Sequence, residues 1–84
     1  MSRKKVEQNS NVYQLVASNI KYYRKLRKLT QGALAEKTGY SHEYIRRIEA
    51  PNIKKNFSID TISNIASALD IDIKLLFDKR EKDK

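Results

Sequence analysis

Eighty-four residues allow one domain with a small core, and 18 Lys and Arg against 10 Asp and Glu leave a formal charge of +8. Cysteine is absent, which excludes a disulfide framework, a thiolate nucleophile and a cysteine-based zinc site. No apolar run approaches the roughly 18 residues needed to span a bilayer, so the expectation is a cytoplasmic protein with a polyanionic partner and no membrane role.

The placement of charge is more informative than its total. Residues 1–30 carry eight basic side chains and one acidic one, whereas residues 58–78 carry one basic and four acidic. A basic N-terminal part set against an acidic C-terminal segment implies one face for phosphate and another for something else.

Residues 1–10 are polar, contain Arg3, Lys4 and Lys5, and show no apolar period, which reads as a mobile basic tail. Two roles are open to it: an uninvolved solvated terminus, or an arm reaching phosphates or a minor groove. A first helix is predicted over residues 11–27, capped by Asn11. Val12, Leu15, Val16, Ile20, Tyr23 and Leu26 recur at three- and four-residue spacing and form its inward stripe. A basic amphipathic helix also suits a membrane surface or a calmodulin-like groove. Here the stripe is needed to cover the two short helices after it, so packing is the preferred reading.

Residues 30–49 organise the rest. Thr30 is a helix-starting residue, and residues 31–38 place Leu34, Ala35 and Thr38 on one face. Gly39 supplies the left-handed backbone position of a sharp helix end. Ser41 then caps a helix over residues 42–49, with Ile45 and Ile48 on one side and Glu43, Arg46 and Arg47 on the other. A small residue at Ala35 lets the two helices cross closely. This is a helix-turn-helix pattern, and its second helix is the candidate for reading duplex DNA. Arg46 and Arg47 can each donate a bidentate pair to guanine O6 and N7, and Glu43 can accept from a cytosine amine. Ser41 and His42, at the helix start, can donate or accept.

Beyond Glu49, Pro51 stops the helix, and Lys54 and Lys55 lie in a loop suited to phosphate contacts. Gln31 starts a helix, where free backbone N–H groups and its own side chain favour a phosphate, and with Thr30 it extends that clamp. Ser58 caps a fourth helix over residues 59–69, with Ile59, Ile62, Ile65, Ala66 and Leu69 inward. Asp72 caps a short fifth helix over residues 73–77, and residues 79–84 form a charged tail.

No enzyme chemistry emerges. His42 has no neighbouring His or Cys with which to hold a metal, Ser41 and His42 are adjacent and diverge, and the two glycines make no phosphate-binding loop. No catalytic residue, metal or cofactor is expected.

Gln31, Leu34-Ala35, Gly39, Ile45, Ile48 and Glu49, with Ile20, Tyr23-Arg24 and Leu29-Thr30 upstream, resemble the Cro/phage-repressor (Xre-like) helix-turn-helix signature position by position. The likeness extends more loosely from Ser58 to Phe77. Two sites depart from the family: Ala50-Pro51 stands where Asn-Gly is common, and Asp70 where glycine is common. The resemblance implies an all-α, five-helix, repressor-like domain over residues 11–78. It implies base contacts from Ser41, His42, Glu43 and Arg47, with Arg46 reaching phosphate or base, and a structural ion pair between Arg24 and Glu49. It also implies a homodimer built at the C-terminal end, where Leu75, Leu76 and Phe77 either form that interface or close the core over the first helix.

The resulting expectation is a sequence-specific, double-stranded DNA-binding regulator, most simply a repressor acting as a homodimer on a partly palindromic operator. Contact with RNA polymerase through the acidic surface would suit activation instead. The alternatives are a restriction–modification controller, an antitoxin whose main partner is a cognate toxin, and a binder driven by charge alone, which predicts a steep salt slope and little sequence preference.

Overall fold

The computed structural model describes residues 5–51 and 57–80, and side chains from Val12 onward within that range. The chain forms α1 (Lys5–Leu26), α2 (Gln31–Thr38), α3 (His42–Glu49) and α4 (Ile59–Leu69), followed by a 3₁₀ turn (Ile73–Phe77). The fifth helix of the sequence reading is thus a 3₁₀ turn, and among the described residues there is no strand.

Local chemistry sets most of the boundaries. Thr30, Ser41 and Ser58 each turn a side-chain oxygen onto the backbone N–H three residues on, at 3.0, 3.0 and 3.1 Å. Asp72 accepts from Lys74 N–H, two residues on, at 3.1 Å. Each such cap is worth about 1 kcal/mol. At the other ends, Gly39 adopts φ +83° and Asp70 φ +59°. Asp70 N–H and Ile71 N–H return to the Ser67 and Ala66 carbonyls, closing α4 in a Schellman turn. Helix α1 ends the same way, with Lys28 N–H on Lys25 O, Leu29 N–H on Arg24 O, and Lys28 at φ +61°. Neither glycine nor asparagine stands at that left-handed position, which an L side chain occupies at a cost of about 1–2 kcal/mol. Arg27 spans the two ends, donating to the Leu69 and Asp70 carbonyls at 2.8 Å each.

The start of α1 corrects the sequence reading. The helix begins at Lys5, not at Asn11, because no glycine or proline between these positions offers a stop. The predicted inward stripe is right in period and too long in extent. Val16 and Ile20 are fully buried, but Val12 and Leu26 are exposed, and so is Ile59 on α4. These three stand where the neighbouring elements no longer cover them. In the other direction, the polar Asn19 is fully buried and Ala17 joins it.

Val16 and Ile20 of α1, Leu34 of α2, Ile45 of α3 and Ile65 of α4 meet in one core, with Leu76 inserted from the 3₁₀ turn. Leu76 is fully buried, so it closes the core instead of facing a partner. Leu75 is half-buried, whereas Phe77 faces outward.

The two glycines make opposite predictions. Gly39 has open space around a would-be Cβ but a positive φ, so Gly39→Ala is expected to lose about 1–2 kcal/mol to backbone strain alone. Gly32 is helical, and a Cβ there meets the His42 ring and Thr30 Oγ1 at 3.8–3.9 Å, ordinary contact. Gly32→Ala should therefore gain about 0.5–1 kcal/mol. Urea unfolding of both variants checks this; midpoints moving in the same direction would contradict the backbone account.

Candidate nucleic-acid interface

The turn between α2 and α3 is held from inside. Thr38 Oγ1 donates toward the Leu34 and Ala35 carbonyls, both at 3.0 Å, and accepts from Tyr40 N–H at 3.3 Å, while Gly39 N–H returns to Ala35 O at 2.8 Å. Ala35 is buried at the crossing of the two helices. Such a short, bonded turn leaves α3 little freedom relative to α2.

Two further contacts fix the face that α3 presents. Ile45 and Ile48 enter the core, and Glu49 is buried with them. Arg24 Nε and Nη2 donate to Glu49 Oε2 and Oε1 at 2.7 and 3.0 Å, and Arg24 Nη1 donates to Leu29 O at 2.7 Å. Gln31 Nε2 donates to Glu49 Oε1 at 3.1 Å. One carboxylate thus gathers α1, the start of α2 and the end of α3. On the other side, Tyr44 stacks edge-on against Tyr40, with ring centroids 5.2 Å apart. Tyr44 Oη lies 3.5 Å from Thr61 Oγ1, and Asn64 Nδ2 donates to Tyr40 Oη at 2.8 Å, so α4 braces the same helix. This tyrosine brace is missed in the sequence, because its partners are far apart along the chain and Tyr40 and Asn64 lie on no apolar stripe.

What remains outward is one polar face. Ser41, His42, Glu43, Arg46 and Arg47 are all exposed along α3 and its cap. The His42 ring lies against Gly32, which brings the N-termini of α2 and α3 side by side, with Thr30 and Gln31 adjoining the face. Gln31 differs in detail from the sequence reading: its side-chain amide is turned to Glu49, and the Ala33 N–H is taken by Thr30 Oγ1. Lys54 and Lys55 lie outside the described residues.

The face is internally paired. Arg46 Nη2 donates to Glu43 Oε2 at 2.6 Å across one helical turn. That bond, with the charges of Arg46, Arg47 and His42, holds the Glu43 carboxyl below the usual carboxylate range, and the same bond raises Arg46 above its own. Glu43 therefore remains an anion, an acceptor only, throughout mildly acidic and neutral pH. Chemically, the face offers guanidinium forks sized for guanine edges or phosphate beside a carboxylate that only an amine can satisfy. No group of three or more His, Cys, Asp or Glu among the described residues could hold a metal ion. No described helix is long and apolar enough to cross a membrane.

At the C-terminal end, Phe77, Val12 and Ile59 rim an open apolar groove floored by Phe57 and Ile62. Of the three residues that the resemblance offers for an interface, Phe77 alone is an exposed member of this groove. The groove is hidden in the sequence because Val12 and Ile59 share the period of the core face.

Comparison with known proteins agrees with this architecture. The helix-turn-helix family profile matches residues 20–76. The HTH-type transcriptional regulator SinR of Bacillus subtilis is 31% identical over 68 residues, covering 81% of this chain and 60% of that protein. SinR of Bacillus licheniformis is 29% identical over the same length and shares. The chain thus spans about 60% of the length of these relatives. Among solved structures, the restriction-modification controller protein C.AhdI from Aeromonas hydrophila superposes with a TM-score of 0.70 at 28% identity, covering 77% of this chain and 96% of that one. With the paired short helices, the glycine turn and the family match over most of its length, the chain belongs to the Xre/Cro-like helix-turn-helix family.

Proposed function

We propose that this protein is a sequence-specific, double-stranded DNA-binding transcriptional regulator that acts as a homodimer, most simply as a repressor covering a promoter. The observation that carries the reading is the outward face of α3. Four hydrogen-bonding side chains, His42, Glu43, Arg46 and Arg47, are exposed on a helix whose opposite side is fixed by Ile45, Ile48 and the Arg24–Glu49 pair. A rigid helix with such a face fits the major groove, with Ser41 and these four meeting base edges. Phosphates would be held by Thr30 and the first N–H groups of α2, beginning at Gln31, together with Lys54 and Lys55.

The apolar groove at Phe77, Ile59 and Val12 supports the homodimer, since a second copy would cover it. A twofold arrangement places the two reading helices about 34 Å apart and calls for a partly palindromic site. The likeness to SinR supports regulation of transcription. The likeness to a restriction-modification controller favours, as a second reading, control of such an operon.

Selection of bound duplexes from a random pool at near-physiological salt tests the proposal. A motif of two half-sites is expected. Arg47→Ala should weaken binding by about 1–3 kcal/mol and relax one symmetric position, whereas Lys54→Ala should weaken all sequences alike and lower the salt slope by about one. Absence of any enriched motif, with binding that disappears as salt rises, would leave only a charge-driven contact.

A further inference from the structure

The reading face holds an acid at one of its exposed positions. Of all the groups that could stand at a DNA-facing position, a carboxylate is the least suited to a polyanion. Its presence there, at 63% side-chain exposure and bonded to an arginine at 59%, asks for a reason. In the major groove, guanine N7 and O6, adenine N7 and thymine O4 are all acceptors, and the phosphates are anions. Only the N4 amine of cytosine and the N6 amine of adenine can donate to Glu43, and each base pair carries one of them, on one strand only. Its spacing of three residues from Arg46 puts both side chains on one strip of helix, with Cβ atoms about 5–6 Å apart. That reach spans neighbouring base-pair steps, which stand about 3.4 Å apart. His42 and Arg47 flank the pair on the same helix and add smaller effects to the dominant one of Arg46.

We infer that Glu43 is a specificity-determining residue that works chiefly by rejection: paired with Arg46, it penalises duplexes that place guanine or thymine, which offer only acceptors there, at the strand position that the carboxylate meets. This rests on the DNA-reading function proposed above. Without DNA, Glu43 occupies part of the Arg46 fork and holds that arginine on the reading face. At a matching site the carboxylate accepts from an amine while Arg46 keeps donors for an adjacent guanine or phosphate. Where guanine or thymine stands at that position the carboxylate faces acceptors, and either it or Arg46 loses its partner. Rejection of this kind lowers non-specific affinity more than it raises specific affinity.

The test compares the selected duplex with a scrambled duplex, measuring Kd for wild type, Glu43→Gln and Glu36→Gln. Glu36 is an exposed acid on α2, outside the reading face, and controls for the change in net charge. Glu43→Gln is expected to tighten binding to the scrambled duplex and lower the ratio of specific to non-specific affinity by about tenfold. Glu36→Gln should shift both duplexes by one factor and leave the ratio unchanged. A ratio kept by Glu43→Gln overturns the assignment while leaving the DNA-reading function intact. A wild type that does not distinguish the two duplexes overturns both together.

Discussion

Replacing Glu49 by alanine is expected to destabilise the fold by about 3–5 kcal/mol, read as a large drop in the urea midpoint. The two charged side chains are 9% and 3% exposed, so the guanidinium left behind would be neither hydrated nor neutralised. Arg24 would keep the Leu29 carbonyl, and the Gln31 amide would lose its acceptor. Arg24→Ala should cost a similar amount, because it leaves a buried carboxylate whose bond to the neutral Gln31 amide cannot balance its charge. Against a typical domain stability of about 5–15 kcal/mol, either change takes much of the total. Both charges removed together, as Arg24→Met with Glu49→Leu, should give a protein more stable than either single variant, since no uncompensated ion remains. A loss under about 1 kcal/mol from the single changes would mean the pair behaves as a solvated surface pair. The double variant also separates stability from positioning. If the pair aims α3, the refolded apolar version should bind DNA with poorer discrimination.

How much of this is legible in the sequence depends on the range of the interaction. Thr30, Ser41, Ser58 and Asp72 act on backbone two or three residues away, so their caps can be read directly. Gly39 can be read for the same reason, since its φ requirement is local. The Ile45 and Ile48 face and its polar opposite follow from helical period alone. Where the period is right but the outcome differs, tertiary cover decides: Val12 and Ile59 sit in register with the core yet open onto a groove. Leu76 and Phe77 are neighbours with opposite fates, one at 0% exposure and one at 38%, which no local pattern sets. The Glu43–Arg46 pair is visible as spacing, but each residue alone reads as a base contact. Lys28 carries no sign of its left-handed backbone, because its side chain is no help at φ +61°.

Asn19 is the clearest case of a residue whose importance only the fold reveals, and Asn19→Leu is expected to cost about 2–4 kcal/mol, one or two buried polar groups left unpaired. Asparagine beside an apolar stripe reads as a surface position, yet this one is fully buried. Its Nδ2 donates to the carbonyls of Leu76 and Asp78 at 2.8 and 2.9 Å, and its Oδ1 accepts from Arg80 Nε at 2.8 Å. The amide orientation is set by its partners, since the guanidinium can only donate and the carbonyls can only accept. Leucine fills the space but leaves the buried Leu76 carbonyl without this donor, a loss of about 1–3 kcal/mol for each such group. Asn19→Asp is the sharper test. It keeps the acceptor for Arg80 but turns an oxygen toward two carbonyls. The anion can only accept, so the Leu76 and Asp78 carbonyls lose their donor and face a like dipole, and Asn19→Asp should destabilise even though Arg80 keeps its acceptor. Arg80→Ala should matter less: the arginine is half-exposed, and its second nitrogen and its stacking on Tyr22 lie on the surface. A change of no more than about 0.5 kcal/mol for Asn19→Leu, as surface changes give, would mean that the buried amide does not hold this end of the chain. If stability moves as expected, the same three bonds place Leu76 in the core and Phe77 on the groove. Loss of Asn19 should then weaken the proposed self-association along with the fold, whereas loss of the Arg24–Glu49 pair acts at α3.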